Sequence, residues 1–255
     1  KRQQHFDVID GHYFFPDGVA ISNVAEKHGL PFTCTARGTD INLIPEQPRA
    51  KAMIRQVFDK ASHLMAVCQA LSDEMISIGA PEDKVTTLRN GVDLALFSPS
   101  DNAEQVQLKQ ALGIDRQLIV SVGWLIERKG HHLIIEALTD IPEATLAIIG
   151  SGPDEAKLKK LAEKLHVGER VKFIGTQTQQ QINHWFKAAD AAVLASSREG
   201  WANVLLEAMA SGAPVVATKV WGTPEVVASE EVGVLVERDV KSIANGIQQM
   251  LSKNV

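Results

Sequence analysis

Short apolar runs alternate with amphipathic stretches along the whole chain, the rhythm of parallel βα units. In the first third the pattern predicts strands at Phe6–Ile9, Phe32–Thr35, Leu64–Val67 and Val85–Leu88. Helices are predicted between them near Gly18–Lys27, Arg49–Ala61 and Ala70–Ile78. Gly29-Leu30-Pro31 and Gly79-Ala80-Pro81 punctuate two helix ends, as Gly and Pro do just past a C-terminus. Asn90-Gly91-Val92-Asp93 is a turn sequence, and the polar stretch from Phe97 to Gln105, which holds Pro99, predicts an interdomain linker. Beyond it come strands at Leu118–Val122, Leu146–Ile149, Val171–Ile174, Ala191–Ala195, Val215–Ala217 and Val234–Val236. The helices between fall near Leu133–Leu138, Glu155–Leu165, Gln179–Ala188, Val204–Met209, Thr223–Ala228 and Ser242–Leu251. Six such units make a complete doubly wound domain. The fold class expected is therefore α/β, with two Rossmann-like parallel-sheet domains: residues 1–95, incomplete, and residues 96–255.

Composition narrows the function. A chain of 255 residues that is 45% hydrophobic can bury a sizeable core. Its net charge of -5 argues against a nucleic-acid binder, which usually carries a basic stripe. No apolar run of about 18 residues is present, so no membrane-spanning helix is expected. Cys34 and Cys68 stand alone, outside any Cys-x-x-Cys pattern, and read as reduced core residues of a cytoplasmic protein. The chain opens at Lys1 without a Met and enters a strand almost at once, so it reads as a fragment whose earlier residues are absent.

The most informative segment is Arg198-Glu199-Gly200-Trp201-Ala202-Asn203-Val204-Leu205-Leu206-Glu207-Ala208-Met209. Two carboxylates separated by seven residues bracket a Gly-containing loop and a strongly apolar helix. The helix is apolar nearly all round, which predicts burial, and a carboxylate at Glu207 is then costly unless it is satisfied. An ionised carboxylate offers only acceptors and a ribose diol offers two donors, so the pair is complementary. Asn203 is the predicted cap, and the N–H groups of Ala202, Asn203 and Val204 at the helix start suit a diphosphate. The competing explanation is a buried Glu paired with an Arg or Lys.

Other candidates sit at predicted strand ends, where ligands bind in open α/β sheets. Gly123 closes the first strand of the second domain, and the basic pair Arg128-Lys129 opens the next helix, again suiting a diphosphate. Two adjacent basic residues are more often a solvated surface pair. Asp10-Gly11-His12 and Arg37-Gly38-Thr39-Asp40 lie at two strand ends of the first domain. His131-His132 suggests no metal, because adjacent helix positions point about 100° apart and no other ligand accompanies them.

These segments together resemble the retaining glycosyltransferases of family 4, which have the GT-B fold. Glu199 and Glu207 match that family's pair of glutamates, Lys129 its phosphate-binding lysine and Phe173-Ile174-Gly175-Thr176-Gln177 its Phe-x-Gly stretch. The resemblance runs from about Phe6 to Leu251. It implies transfer of a hexose from a nucleotide diphosphate sugar to an acceptor hydroxyl, without metal or other cofactor. Uridine is the base expected from family frequency. His12, Lys129 and Glu199 would be catalytic. Arg128, Gly123, Thr176, Gln177, Gly200, Ala202, Asn203, Val204, Glu207, Arg37 and Asp40 would bind substrate.

Two departures stand out. Trp124 occupies the place of a family arginine, so Arg128 is expected to substitute for it. Arg37 occupies the place of a family histidine and is expected to bind anionic groups. The resemblance also implies that the family's first strand and its Gly-rich loop lie outside these residues. The partner implied is a carbohydrate or lipid-linked acceptor; membrane association stays open although the sequence does not support it, and no nucleic acid is expected. A nucleotide-binding fragment without turnover and a sugar-nucleotide epimerase of the same fold stay open as alternatives.

Overall fold

The computed structural model describes residues 5–253. The chain forms two units: Lys1–Asn90 with Glu199–Trp201, and Gly91–Arg198 with Ala202–Val255. The first contains β1 (Ile9–His12), α1 (Val19–His28), β2 (Phe32–Ala36), α2 (Thr39–Asn42), α3 (Pro48–Lys60), β3 (His63–Ala66), α4 (Gln69–Ser77) and β4 (Val85–Thr87). Its sheet runs β1-β2-β3-β4, and every pairing is parallel. Phe14, Ile54, Phe58, Leu64 and Leu71 are fully buried in this unit. Phe14 and Phe58 meet edge to face at 5.1 Å between centroids, a favourable aromatic geometry. Cys34 and Cys68 are buried and not joined in a disulfide, and burial pushes the Cys34 thiol up to about 12.

One strand is displaced from its predicted place. The strand was expected at Phe6–Ile9, but β1 begins at Ile9, and the side chains of Phe6 and Val8 are exposed. Pairing decides the outcome: Ile9 stands opposite Phe32, and its N–H donates to Pro31 O at 3.0 Å. His12 is consequently the last residue of the strand, and Asp10 lies two residues before it on the same face.

The second unit contains α5 (Asn102–Ala111), β5 (Gln117–Val122), α6 (His131–Ala137), β6 (Ala144–Ile149), α7 (Glu155–Lys164), β7 (Val171–Gly175) and α8 (Gln179–Ala188). It continues with β8 (Ala191–Leu194), α9 (Asn203–Ala210), β9 (Val215–Thr218), α10 (Thr223–Val226), β10 (Gly233–Val236) and α11 (Val240–Lys253). The sheet order is β10-β9-β8-β5-β6-β7, with all pairings parallel. Every residue of β6, β8 and β9 is buried, which explains their largely apolar sequences, with Thr145 and Thr218 the polar exceptions. Ile119, Ile134, Leu146, Ile148, Ile243 and Ile247 belong to one core cluster.

The predicted linker is corrected in part. From Asn102 the chain is the helix α5, not linker. Asp101 caps it, accepting from Glu104 N–H at 2.8 Å, and Lys109 pairs with Asp190 at 2.6 Å. An Asp followed three residues later by Glu is a legible helix start; the polarity of the segment hid it.

Chain order reverses between β5 and β8, so the loops leaving these two neighbours diverge at a topological switch point. Such a point is where doubly wound sheets bind ligands. The loops are held close. Gly130, at φ 72, has no room for a side chain, because a Cβ there would lie 2.1 Å from Ala195 O.

Candidate functional site

In the second unit the predicted loops gather at the carboxyl edge of the sheet. Backbone bonds lace them together: Gly123 N–H donates to Ile149 O at 2.9 Å, Leu125 to Ser151 O at 2.8 Å and Gly150 to Gly175 O at 2.9 Å. Gly123, Trp124, Gly150, Ser151, Thr176 and Gln177 line a cleft of about 250 Å³. Three residues singled out in the sequence, Gly123, Thr176 and Gln177, thus share one cavity. Trp124, at the departing position, stands on its wall and is 55% exposed. The methylenes of Lys129 lie over Gly123, where a Cβ would meet them at 3.6 Å.

Arg128 is tied to the loop after β8. Its Nη1 donates to Arg198 O at 2.7 Å, and its own carbonyl accepts from Ser197 N–H at 2.8 Å. Arg238 adds a second tie, donating to Ala195 O and to Glu127, whose carboxyl it holds below the usual range.

Three polar groups of this unit stand out because they lack hydrogen-bond partners among the described residues. Nε of Arg198 and Nε2 of His131 are buried and unpartnered. The ring of His131 is anchored on its other side, with Nδ1 3.1 Å from Ser121 Oγ. Burial pushes it down to about 4, so it is neutral at ordinary pH. The third is the carboxylate of Glu207, half-buried on α9, which burial alone pushes above its ordinary value. The sequence offered no sign of Arg198, and His131 was set aside as a metal ligand.

Two expectations about α9 are corrected. Val204, Leu206 and Met209 are only partly buried, because the helix packs on α8, β8 and β9 and leaves one face uncovered. Ala202, not Asn203, is the N-cap; Asn203 is the first helical residue and is exposed.

In the first unit His12, Arg37 and Asn90 come together. Arg37 Nη1 donates to Asn90 Oδ1 at 3.1 Å, and Nη2 lies 3.1 Å from His12 Nδ1. His12 Nε2 is 3.6 Å from Asp10 Oδ2, while Asp10 Oδ1 accepts from Thr33 Oγ1 at 2.7 Å. Asp10 and Asn90 were not marked as site residues in the sequence. Asp40 corrects its expected role. It is 1% exposed and accepts from the N–H groups of Phe14, Arg37 and Gly38 at 2.9, 3.1 and 2.8 Å. Its burial outweighs these bonds and pushes its carboxyl up. Asp40 therefore shapes the loop: it is buried and engaged with backbone N–H groups rather than presented to a substrate.

The loop Glu199–Trp201 is part of this unit. Trp201 Nε1 donates to Asn90 O at 3.1 Å. Gly200 packs directly on the backbone, since a Cβ there would lie 2.0 Å from Arg37 O. Among the described residues no cluster of three metal-ligating side chains occurs and no helix is long and apolar enough to cross a membrane.

A doubly wound sheet with a cleft at the carboxyl ends of β5, β6 and β7 defines a class of domains that hold ligands at strand ends. The particular class is set by comparison: the chain belongs to the glycosyl transferases group 1 family, whose description matches residues 104–254. Residues 1–96 match Glycosyltransferase Family 4. The chain is 27% identical to N-acetyl-alpha-D-glucosaminyl L-malate synthase of Bacillus anthracis, covering 98% of this chain and 66% of the relative. It is 31% identical to D-inositol 3-phosphate glycosyltransferase of Frankia alni, covering 97% and 66%. The chain thus spans 66% of the length of each of these relatives. The fold is that of Anabaena Alr3699/HepE, solved in complex with UDP, with a TM-score of 0.88 at 24% identity over 98% of this chain and 70% of that one. The same protein in complex with UDP-glucose gives a TM-score of 0.85 at 24% identity, over 97% and 70%.

Proposed function

We propose that this chain is the nucleotide-sugar-handling part of a retaining glycosyltransferase that moves a hexose from a UDP-sugar to an acceptor hydroxyl. The observation that carries the reading is Glu207: a half-buried carboxylate without a partner among the described residues, on the helix fed by the switch-point loop. Ribose hydroxyls are the donors it lacks. Family membership and the UDP and UDP-glucose bound in Alr3699/HepE support the donor class. In this reading residues 96–255 hold the nucleotide, and residues 1–95 carry the acceptor side. The cleft beside Thr176 and Gln177 takes the base, and Glu199 and His12 take sugar hydroxyls.

The chemistry follows from charge. The bond from the sugar's anomeric carbon to the diphosphate oxygen breaks, and its electron pair leaves with the diphosphate. The acceptor oxygen bonds to that carbon from the same face, and its proton passes to the departing oxygen. Lys129 and the N–H groups at the start of α9 stabilise the charge developing on the diphosphate, the largest contribution such a site can make. Arg128 adds positive charge while fixing the loop beside it. The scheme draws on no cofactor beyond the donor. The acceptor is a carbohydrate or a lipid-linked molecule, and the setting is the cytoplasm.

The test is release of UDP from UDP-glucose, with the product's anomeric configuration followed by NMR. Lys129→Ala is expected to lower the rate by a hundredfold or more, on the order of 3 kcal/mol of transition-state stabilisation. A product of inverted configuration, or a Lys129→Ala variant as fast as the parent, would contradict the reading.

A further inference from the structure

The cleft of the second unit is walled largely by backbone and aliphatic groups. Gly123 and Gly150 bring no side chain to it, and Val122, Ile149 and Ile182 bring branched apolar ones. Gly150, at φ 141, has no room for one: a Cβ there would lie 2.0 Å from Gly123 O. Trp124 alone contributes a planar ring. Its loop is fixed, with Leu125 N–H bonded to Ser151 O at 2.8 Å and Ile126 N–H to Trp124 O at 2.9 Å. The indole nonetheless stays 55% exposed. Among the described residues the ring contacts are those of Phe14 with Phe58, Arg89 with Trp201 and Lys159 with Phe173, so none of them covers Trp124.

One exposed apolar side chain on an open surface carries no meaning. On the wall of a cleft it does, because a flat group entering there covers one face of the indole and is covered by it. At about 250 Å³ the cleft is smaller than the pockets that enclose a whole ligand, and it suits one planar group whose remainder lies outside. The polar side chains that line it can meet the edge of such a group. Thr176 Oγ1 donates to Ser151 Oγ at 3.3 Å, and Gln177 Nε2 to Ile174 O at 3.4 Å, both long. The Ser151 hydroxyl hydrogen remains as a donor and Gln177 Oε1 as an acceptor.

We propose that the indole of Trp124 is the platform on which the base of the nucleotide stacks. The proposal rests on the donor reading given above and deepens it. It gives position 124 a role on the base instead of the charge that an arginine would bring to the phosphates. Stacking reads the face of a ring, and every base has one, so the platform supplies affinity without choosing the base. The choice falls to groups that meet the edge, Ser151 and Gln177 among them.

Calorimetry on the full chain tests this with uridine, UDP, CDP and inorganic pyrophosphate as probes. Trp124→Ala is expected to weaken every nucleoside or nucleotide that the parent binds by one common factor, roughly tenfold or more, and to leave pyrophosphate unchanged. Trp124→Phe, which keeps a ring face, is expected to lose much less. Iodide quenching of tryptophan fluorescence reads the stack itself: UDP should shield the part of the emission that Trp124→Phe lacks. A Trp124→Ala variant that binds UDP as tightly as the parent overturns the platform and leaves the donor reading standing. So does one that loses pyrophosphate as much as UDP, a Trp124→Phe variant as weak as Trp124→Ala, or an indole that iodide reaches equally with and without bound UDP. If the parent binds no nucleotide at all, the donor reading has failed and the platform falls with it.

Discussion

At the carboxyl edge of the first sheet, Asp40 accepts from three backbone N–H groups, and Arg37 divides its guanidinium between His12 and Asn90. At the corresponding edge of the second, Glu207, Nε2 of His131 and Nε of Arg198 lack partners among the described residues. Buried or half-buried polar groups left without partners cost stability. The difference teaches where each unit keeps its function. The first pairs most of its strand-end side chains with one another, Asn42 Oδ1 being its buried atom without a partner among the described residues, whereas the second leaves three such groups at its own strand ends.

The largest effect expected from breaking this contrast lies on the paired side. Asp40→Ala leaves the N–H groups of Phe14, Arg37 and Gly38 without their acceptor. The loss should be about 3 kcal/mol, and Asp40→Asn, which keeps one acceptor oxygen, should lose less. Chemical denaturation of the chain, followed by a probe in the first unit, measures both. An Asp40→Ala variant as stable as the parent would show that the three bonds do not hold the loop.

His131 sharpens the unpaired side. Its ordinary value of 6.5 falls to about 4 in the folded chain, so between these limits the unfolded chain binds a proton that the folded chain refuses. Stability is therefore full above about pH 6.5 and declines as pH falls towards 4, by up to about 3 kcal/mol in all. His131→Leu should flatten this part of the profile. An unchanged acid slope in that variant would place the proton uptake elsewhere.

The smallest effect is the most diagnostic. Burial raises the Glu207 carboxyl above its ordinary 4.5, so the folded chain holds that proton more tightly than the unfolded one. Ionised Glu207 thus lowers stability above its raised value, and the penalty fades as pH falls through it. Glu207→Gln should stabilise the ligand-free chain at neutral pH by a few tenths of a kcal/mol, after allowance for solvent screening. Destabilisation by a full kcal/mol would mean that the carboxylate has a structural partner after all.

Much of this architecture was legible in the sequence. Helix α8 falls where the pattern put it, between Gln179 and Ala188, and its Thr178–Gln181 capping box marks the start. The strands of the second unit lie within a residue or two of their expected positions, because strands buried on both faces write themselves as apolar runs. The failures share a cause. At β1, a short apolar run suggested a strand at Phe6, but pairing with Phe32 decided where it began. At α9, apolar residues all round suggested full burial, but Val204, Leu206 and Met209 are only partly buried.

The site was legible as residue types at strand ends and opaque as pairings. Gly123, Lys129 and Glu207 were marked as candidates from residue type and placement, and Thr176 from the family resemblance; Gly123 and Thr176 line one cleft. The Arg128–Arg198 tie, the three bonds to Asp40 and the approach of Asp10 to His12 depend on side-chain geometry across turns and neighbouring strands. Periodicity carries no information about such geometry.

The central claim is that Glu207 awaits a nucleotide, and its most direct test is thermal unfolding of the parent and of Glu207→Gln with UDP. At about 100 times the dissociation constant, UDP should stabilise the parent by roughly 2.7 kcal/mol, a midpoint rise of a few degrees. The account predicts that rise in the parent and its absence, or near absence, in Glu207→Gln. Equal stabilisation of both proteins, or of neither, would contradict it.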